Sequence, residues 1–393
     1  MSASLRVLAP EQLAGDDSLL DCAWSERPTF AIAPTRARET AAAWLAQLPA
    51  ALREDHFAVL SSGSTGRPRL VVGARTRAEE MARAIDRAQD GDGAGCAVQA
   101  LPLGFAYALV NQWLWARVHG KTFVATRGLT DAASFGDALR RARDAQLCLV
   151  PAQVPMLDAL GDAAFEGVAR VNFAGAPFPQ ARLAAVRARF PRARVFNNYG
   201  CTEAMPRLAV TEVTDDAPTV ATRALDGVEL RADERGQLQF RSAYGAVAYV
   251  DDAGCHALDD GRWIDTGDIG RVRADGRVEL EGRVGEVFKR YGERVSLPAV
   301  LDTVLAVWRG DVAFYRVEDR AGEDGAVLVL APRPHEDELR RLLQALRANH
   351  RRPHWPLRIE SAAAIARLPN GKLDAVTVRD RGDLVTHWDQ RLV

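Results

Sequence analysis

Long apolar runs are missing from this sequence. The longest apolar region, Phe105 to Val118, is broken by Asn111, Gln112 and Arg117 and is too short to cross a bilayer, so no membrane span is expected. Paired cysteines are missing too: Cys22, Cys96, Cys148, Cys201 and Cys255 are odd in number, widely spaced and without a Cys-x-x-Cys pair. That spacing excludes a disulfide framework and a zinc knuckle, and predicts a reducing, cytoplasmic compartment. Charge of one sign is not in excess, since 51 Lys and Arg face 52 Asp and Glu, which leaves no global field to recruit nucleic acid or an anionic membrane. Met1 to Leu20 carries Glu11, Asp16 and Asp17 and lacks a basic start before an apolar block, so no secretory leader is expected. There is no internal repeat and no low-complexity tract. What remains, 393 residues at 48% hydrophobic and 26% charged, suits a large core plus a smaller one.

The most informative stretch that is present is Ser61-Ser62-Gly63-Ser64-Thr65-Gly66-Arg67-Pro68-Arg69, set between apolar Phe57 to Leu60 and Leu70 to Val72. Two glycines allow backbone N–H groups to turn toward an anion, hydroxyls add donors, and Arg67 and Arg69 add positive charge. No Gly-Lys-Ser/Thr closes the loop, and a strand follows where a Walker loop would start a helix. Taken alone, such a string is more often a hairpin turn. What lies downstream changes that reading.

Along the chain, an amphipathic stretch near Thr40 to Leu52 predicts a helix, and Thr76-Arg77-Ala78-Glu79 has the spacing of a capping box opening a helix to about Ala88. Short apolar runs at Leu147 to Val150, Val171 to Phe173 and Val195 to Phe196 alternate with Ala/Arg-rich helical stretches, which argues for a layered α/β sheet. Strand-like pieces at Val228 to Arg231, Gln237 to Arg241 and Arg277 to Leu280 read as a β-rich subdomain. From Gly285 the pattern becomes compact α+β, with a hairpin from Val312 to Ala331 and Leu339, Leu342, Leu343 and Leu346 on one helix face. The expected division is residues 1–284, a large α/β domain binding nucleotide and substrate, and residues 285–393, a small mobile α+β lid.

Four further stretches carry candidate chemistry: Phe173-Ala174-Gly175-Ala176-Pro177, Asn197-Asn198-Tyr199-Gly200-Cys201-Thr202-Glu203, Asp265-Thr266-Gly267-Asp268 with Gly282-Arg283, and Leu368-Pro369-Asn370-Gly371-Lys372. The first two follow strands, where α/β sheets place ligands. Tyr199 offers a flat face for a purine, Glu203 a hard oxygen for Mg²⁺, Asp268 a carboxylate for ribose hydroxyls and Lys372 a mobile cation.

These segments, in this order, resemble the adenylate-forming superfamily of acyl-CoA and aryl-CoA synthetases, nonribosomal peptide synthetase adenylation domains and firefly luciferase. The resemblance runs from Ser61 to Lys372. It implies that Ser61, Ser62, Gly63, Ser64, Thr65, Gly66 and Arg69 grip the ATP phosphates. Gly175, Ala176, Pro177, Asn198, Tyr199 and Gly200 would adjoin the nucleotide, Thr202 and Glu203 would act in catalysis with Glu203 on Mg²⁺, Asp268 and Arg283 would hold ribose, and Lys372 would be the adenylation lysine. The implied reaction is attack of a carboxylate on the α-phosphorus of ATP with loss of pyrophosphate, followed by transfer of the acyl group to the thiol of CoA or of the phosphopantetheine of an acyl carrier protein. Between the two steps the lid would rotate and turn the segment from Lys289 to Gly292 to a thiol channel.

The sequence departs from that family in four places. Arg69 stands where Lys is usual, Gly285 stands at the hinge, the Leu101-Pro102-Leu103-Gly104-Phe105-Ala106-Tyr107 segment lacks a His common among acyl-CoA synthetases, and only 60 residues precede Ser61. The short start predicts an exposed sheet side, covered in a homodimer by a second subunit. No Asp or Glu lies between Leu101 and Thr130 to meet a substrate ammonium, which predicts an acid without an α-amino group. Phe105, Tyr107, Phe173, Ala174, Phe178 and Cys201 are the candidate acyl pocket. The alternatives are transfer to an amine or alcohol, and a degenerate nucleotide binder without catalysis. His350 and His354 are rejected as a metal pair because Pro353 intervenes, and Cys201 is read as a pocket wall, not a nucleophile.

Overall fold

In this computed structural model, residues 6–61, 68–91, 93–215, 221–258, 261–367 and 373–390 are described. A six-stranded sheet runs in the order Arg6–Leu8, Phe30–Ile32, His56–Ser61, Arg69–Ala74, Ala248–Asp251, Gly254–Ala257. Its side chains alternate between two cores, as strand geometry requires. Val59 and Val71 face a central core, while Ala58, Leu70 and Val72 face a second one closed by Trp44 and Leu45 of the helix Arg38–Ala46. That helix is shorter than expected from Thr40 to Leu52, because Pro49 separates it from a tight turn, Ala50–Leu52.

An eleven-stranded sheet carries the rest of the large α/β unit. Thr122–Val124, Cys96–Val98, Ala145–Leu149, Val168–Ala174 and Arg194–Tyr199 are parallel neighbours. The sheet then turns antiparallel through Ala209–Glu212 and Ala221–Ala224 into Arg277–Arg283, Ile264–Val272, Gln237–Ser242 and Val228–Ala232. The β-rich stretch expected after Gly227 is therefore present, and its hydrogen bonds fuse it to the parallel strands. Its Ala248–Asp251 and Gly254–Ala257 strands instead extend the first sheet, by pairing with Arg69–Ala74.

The helix expected from a capping box is Arg75–Ala88, and it begins differently: its N-cap is Ala74, with no side-chain cap. Its first residue, Arg75, is 7% exposed and anchors the helix start to other segments, its guanidinium donating to the carbonyls of Trp24 (2.9 Å), Pro28 (2.6 Å), His56 (3.2 Å) and Glu26. Glu79, the other half of the expected box, accepts from Trp24 Nε1 at 3.2 Å. The stretch Gln180 to Arg189 forms a tight turn, Gln180–Arg182, and then the helix Leu183–Arg189.

After Arg283 come the hairpin Val287–Arg290/Glu293–Ser296 and a four-stranded sheet, Asp311–Glu318, Asp324–Ala331, Arg358–Ser361 and Val385–Asp389. The helices Leu297–Val307 and Glu336–Asn349 bury Val300, Val304, Leu342 and Leu346 against it. The hairpin turn is fixed by Asp319 Oδ1, which accepts from the backbone N–H of Ala321 and Glu323.

Candidate active site

The parallel strands end at Ala174 and Tyr199, and the site is built from the turns beyond them. After Tyr199 the chain doubles back, with Leu208 N donating to Tyr199 O at 2.8 Å and Ala204 N to Cys201 O at 3.1 Å. Gly200 is required by this close approach: a Cβ there would collide with the carbonyl of Pro206 and the backbone of Arg207. Gly175 takes φ +86°, which turns the chain outward after Ala174, and Ala176 and Pro177 are exposed beside it.

Three distant segments converge here. Arg69, on the strand after the glycine-rich loop, pairs with Glu203 at 2.6 Å, and its guanidinium lies 5.1 Å from the centre of the Tyr249 ring. Arg283 pairs with Asp268 at 3.0 Å. Thr266 Oγ1 accepts from Asp268 N at 3.1 Å and donates to Leu238 O, so the Thr-Gly-Asp turn holds its carboxylate rigidly, 7% exposed. Tyr199, 6% exposed, lies beside Thr266 and Asp268, and burial together with the Asp268 charge raises its hydroxyl well above the usual tyrosine range. Cys201 sits among the same groups; burial, then Glu203 and Asp268, push its thiol well above the ordinary value.

The chemistry of this donor set fits a nucleotide. Ser61 Oγ, Arg69 Nε and Tyr199 OH are buried and make no well-formed hydrogen bond among the described residues, and buried polar atoms rarely go unmatched. The Asp268 carboxylate and the half-exposed Arg283 guanidinium suit vicinal hydroxyls and an anion. A single glutamate with substrate phosphates is a sufficient set for Mg²⁺, and Glu203 offers the carboxylate. Ser62, Gly63, Ser64, Thr65, Gly66 and Lys372 lie outside the described residues.

The expected acyl pocket divides. Phe105, Tyr107 and Cys201 adjoin the central core. Phe173 is fully buried on the other face of the sheet, its ring 4.6 Å from that of Phe178, and belongs to the core there. Asn198 is engaged in a buried network: it donates to Asn172 Oδ1 at 3.2 Å and accepts from Arg207. Arg207, 1% exposed, is a residue that sequence reasoning missed. Its signal was a lone arginine within Ala204-Met205-Pro206-Arg207-Leu208-Ala209-Val210, an otherwise apolar stretch. The His350 and His354 rings stack, and His350 meets Thr303 while His354 meets Glu293.

A family profile described as AMP-binding enzyme matches residues 9–246, and the chain belongs to that family. Among curated relatives, a 3-[(3aS,4S,7aS)-7a-methyl-1,5-dioxo-octahydro-1H-inden-4-yl]propanoyl:CoA ligase of Mycobacterium tuberculosis is 37% identical over 35% of this chain and 28% of its own length. 4-Coumarate–CoA ligase of Vanilla planifolia is 29% identical over 54% of this chain and 42% of its own. The matches thus span less than half the length of these relatives. Among solved structures, the anthranilate CoA ligase AuaEII with anthranoyl-AMP superposes at a TM-score of 0.72 with 17% identity, covering 96% of this chain and 77% of that one, a likeness of fold.

Proposed function

We propose that this protein activates a carboxylic acid lacking an α-amino group as its acyl-adenylate, at the expense of ATP, and passes the acyl group to the thiol of CoA or of a separate acyl carrier protein. The observation that carries this reading is the convergence of Arg69–Glu203, Tyr199 and Asp268–Arg283 on one end of the parallel strands. The CoA ligases among its relatives support the acid and thiol substrates.

Asp268 and Arg283 fix the ribose, and Tyr199 walls the adenine side. Arg69 and the hydroxyls of the loop hold the phosphates, while Cys201, kept protonated, stays chemically inert. Mg²⁺, bound through Glu203, would offset phosphate charge when a carboxylate approaches the α-phosphorus. Lys372 supplies a cation where charge builds in the transition state. In this reading residues 1–284 bind ATP and acid, and residues 285–393 form a lid that carries Lys372 in and out. A cavity of about 450 Å³ beside Arg290, Tyr291 and Arg352 adjoins the segment assigned to the thiol step.

The test is acid-dependent pyrophosphate release from ATP and Mg²⁺ across aryl, fatty and amino acids, with and without CoA. Release with aryl or fatty acids is expected, and Lys372→Ala should cut it by about 100-fold or more while ATP still binds. ATP binding with no acid-dependent release would overturn the reading.

A further inference from the structure

The guanidinium of Arg69 is held in two ways. Its Nη2 meets Glu203 Oε1 at 2.6 Å, and its Cζ lies over the Tyr249 ring, 5.1 Å from the centre. The ion pair fixes one edge of the planar fork but lets the plane turn about that contact, and an aromatic face against it restrains the turn. Strand register puts the ring there. Tyr249 stands opposite Val71 where Ala248–Asp251 pairs with Arg69–Ala74. Arg69, two residues before Val71, is therefore its diagonal neighbour on the same sheet face, a separation that an aromatic and a long side chain can bridge.

The ring is itself braced. His256 stands directly opposite Tyr249 in the hairpin of Ala248–Asp251 with Gly254–Ala257, and the two rings stack with centres 4.7 Å apart and planes 21° from parallel. Behind them His256 Nε2 lies 3.2 Å from Asp251 Oδ1, which also accepts from Ala253 N at 2.9 Å. Trp44 Nε1 donates to Asp252 Oδ1 at 3.1 Å and pins the hairpin turn to the helix Arg38–Ala46. Just before the hairpin, Ala246 N donates to Glu203 O at 2.8 Å. One segment thus positions both members of the Arg69–Glu203 pair, Arg69 through a ring and Glu203 through its backbone.

We propose that Tyr249, braced by His256, is a positioning residue for the ATP phosphates, which keeps the Arg69 guanidinium oriented when Glu203 is drawn to Mg²⁺. This rests on the reading above, in which Arg69 meets the phosphates and Glu203 the metal. The Glu203 carboxylate cannot give its full charge to both partners, so the ion pair loosens on metal binding. The ring carries no charge to divide, and its contact with the guanidinium persists.

Equilibrium dialysis of labelled ATP, with Mg²⁺ and with EDTA and without any acid substrate, tests this apart from turnover. Y249L, which keeps bulk and loses the aromatic face, should raise the Kd about tenfold with Mg²⁺ and about threefold or less with EDTA, where Glu203 stays on Arg69. Y249F, which keeps the face, should recover most of that loss. In an R69K background, whose ammonium has no plane to set, Y249L should cost about twofold or less. Should Y249L fail to fold, H256A, on the edge strand of the sheet, decides in its place, with about a threefold loss beside Arg69 and none in R69K. A Kd that the folded variant leaves unmoved, a loss equal with Mg²⁺ and EDTA, or one as large in R69K overturns the proposal and leaves the reading of the site standing. A Kd that R69M leaves unchanged overturns the phosphate role of Arg69 and the proposal with it. These shifts without acid-dependent pyrophosphate release would uphold the proposal and overturn acid activation alone.

Discussion

At the residue scale, the ion pair between Arg69 and Glu203 is the most informative contact in the site. The side chains are 26% and 13% exposed, so the pair is partly desolvated and removing one partner would leave the other's charge uncompensated. Glu203→Gln, which keeps the shape and an acceptor oxygen, is expected to lower pyrophosphate release about 100-fold and to raise the Mg²⁺ concentration it requires. A Mg²⁺ titration of release checks this, and an unaltered requirement would remove the metal role. Cys201 gives a second prediction. With its thiol raised by burial and two carboxylates, it should resist iodoacetamide at pH 8, whereas exposed Cys22 should alkylate first, as peptide mass spectrometry would read. Legibility at this scale was uneven. Glu203, Asp268 and Arg283 were readable because each sits in a short motif, and Lys121, Lys289 and Lys372 are the only lysines among 51 basic residues, which sharpens the case for Lys372. Arg207 was not readable as part of a buried network, because its partner Asn111 lies 96 positions away and its burial comes from the tertiary fold.

At the scale of elements, the sequence patterns located strands better than they located caps or partners. Phe57 to Leu60 and Leu70 to Val72 fall inside His56–Ser61 and Arg69–Ala74, because a contiguous apolar run marks a strand buried on both faces. The pairing of Arg69–Ala74 with Ala248–Asp251 was illegible, since local pattern carries no information about a partner some 180 positions on. The same holds for the start of the helix Arg75–Ala88. A capping box is a local device, whereas Arg75 gathers carbonyls from Trp24, Glu26, Pro28 and His56 on other segments. Arg75→Met would keep the bulk and strand those acceptors, and should cost about 3 kcal/mol, an unmatched buried polar group being worth about 1–3 kcal/mol. Urea denaturation would measure it. A loss under about 1 kcal/mol would mean that the carbonyls find water and that the Arg75 anchor is dispensable.

At the scale of the whole molecule, the question is what holds the C-terminal sheet against the large α/β unit. The link itself is weak: Val284 is 51% exposed, Gly285 has open space about its Cα, and Val284 N makes one bond, to Gly267 O at 3.0 Å. Three arginines tie the parts together across it, one of them Arg294, which pairs with Glu281 at 2.9 Å beside the bond from Ser296 Oγ to Glu281 O. Arg182 donates to Arg309 O at 2.9 Å, and Arg367 donates to Ala152 O at 2.8 Å while pairing with Asp311 at 2.5 Å. On the proposed reading, in which residues 285–393 rotate as a lid, each bond held in one pose opposes leaving it. Replacing both Arg182 and Arg367 with Ala removes bonds worth about 1 kcal/mol each, and should speed tryptic cleavage after Arg283 by roughly tenfold. On the proposed reading, in which Arg283 meets the ribose, ATP should slow that cleavage in parent and variant alike. A cleavage rate that ignores both substitutions would show that the Arg294–Glu281 pair and the packing of Leu297–Val307, not Arg182 and Arg367, hold the C-terminal sheet in place.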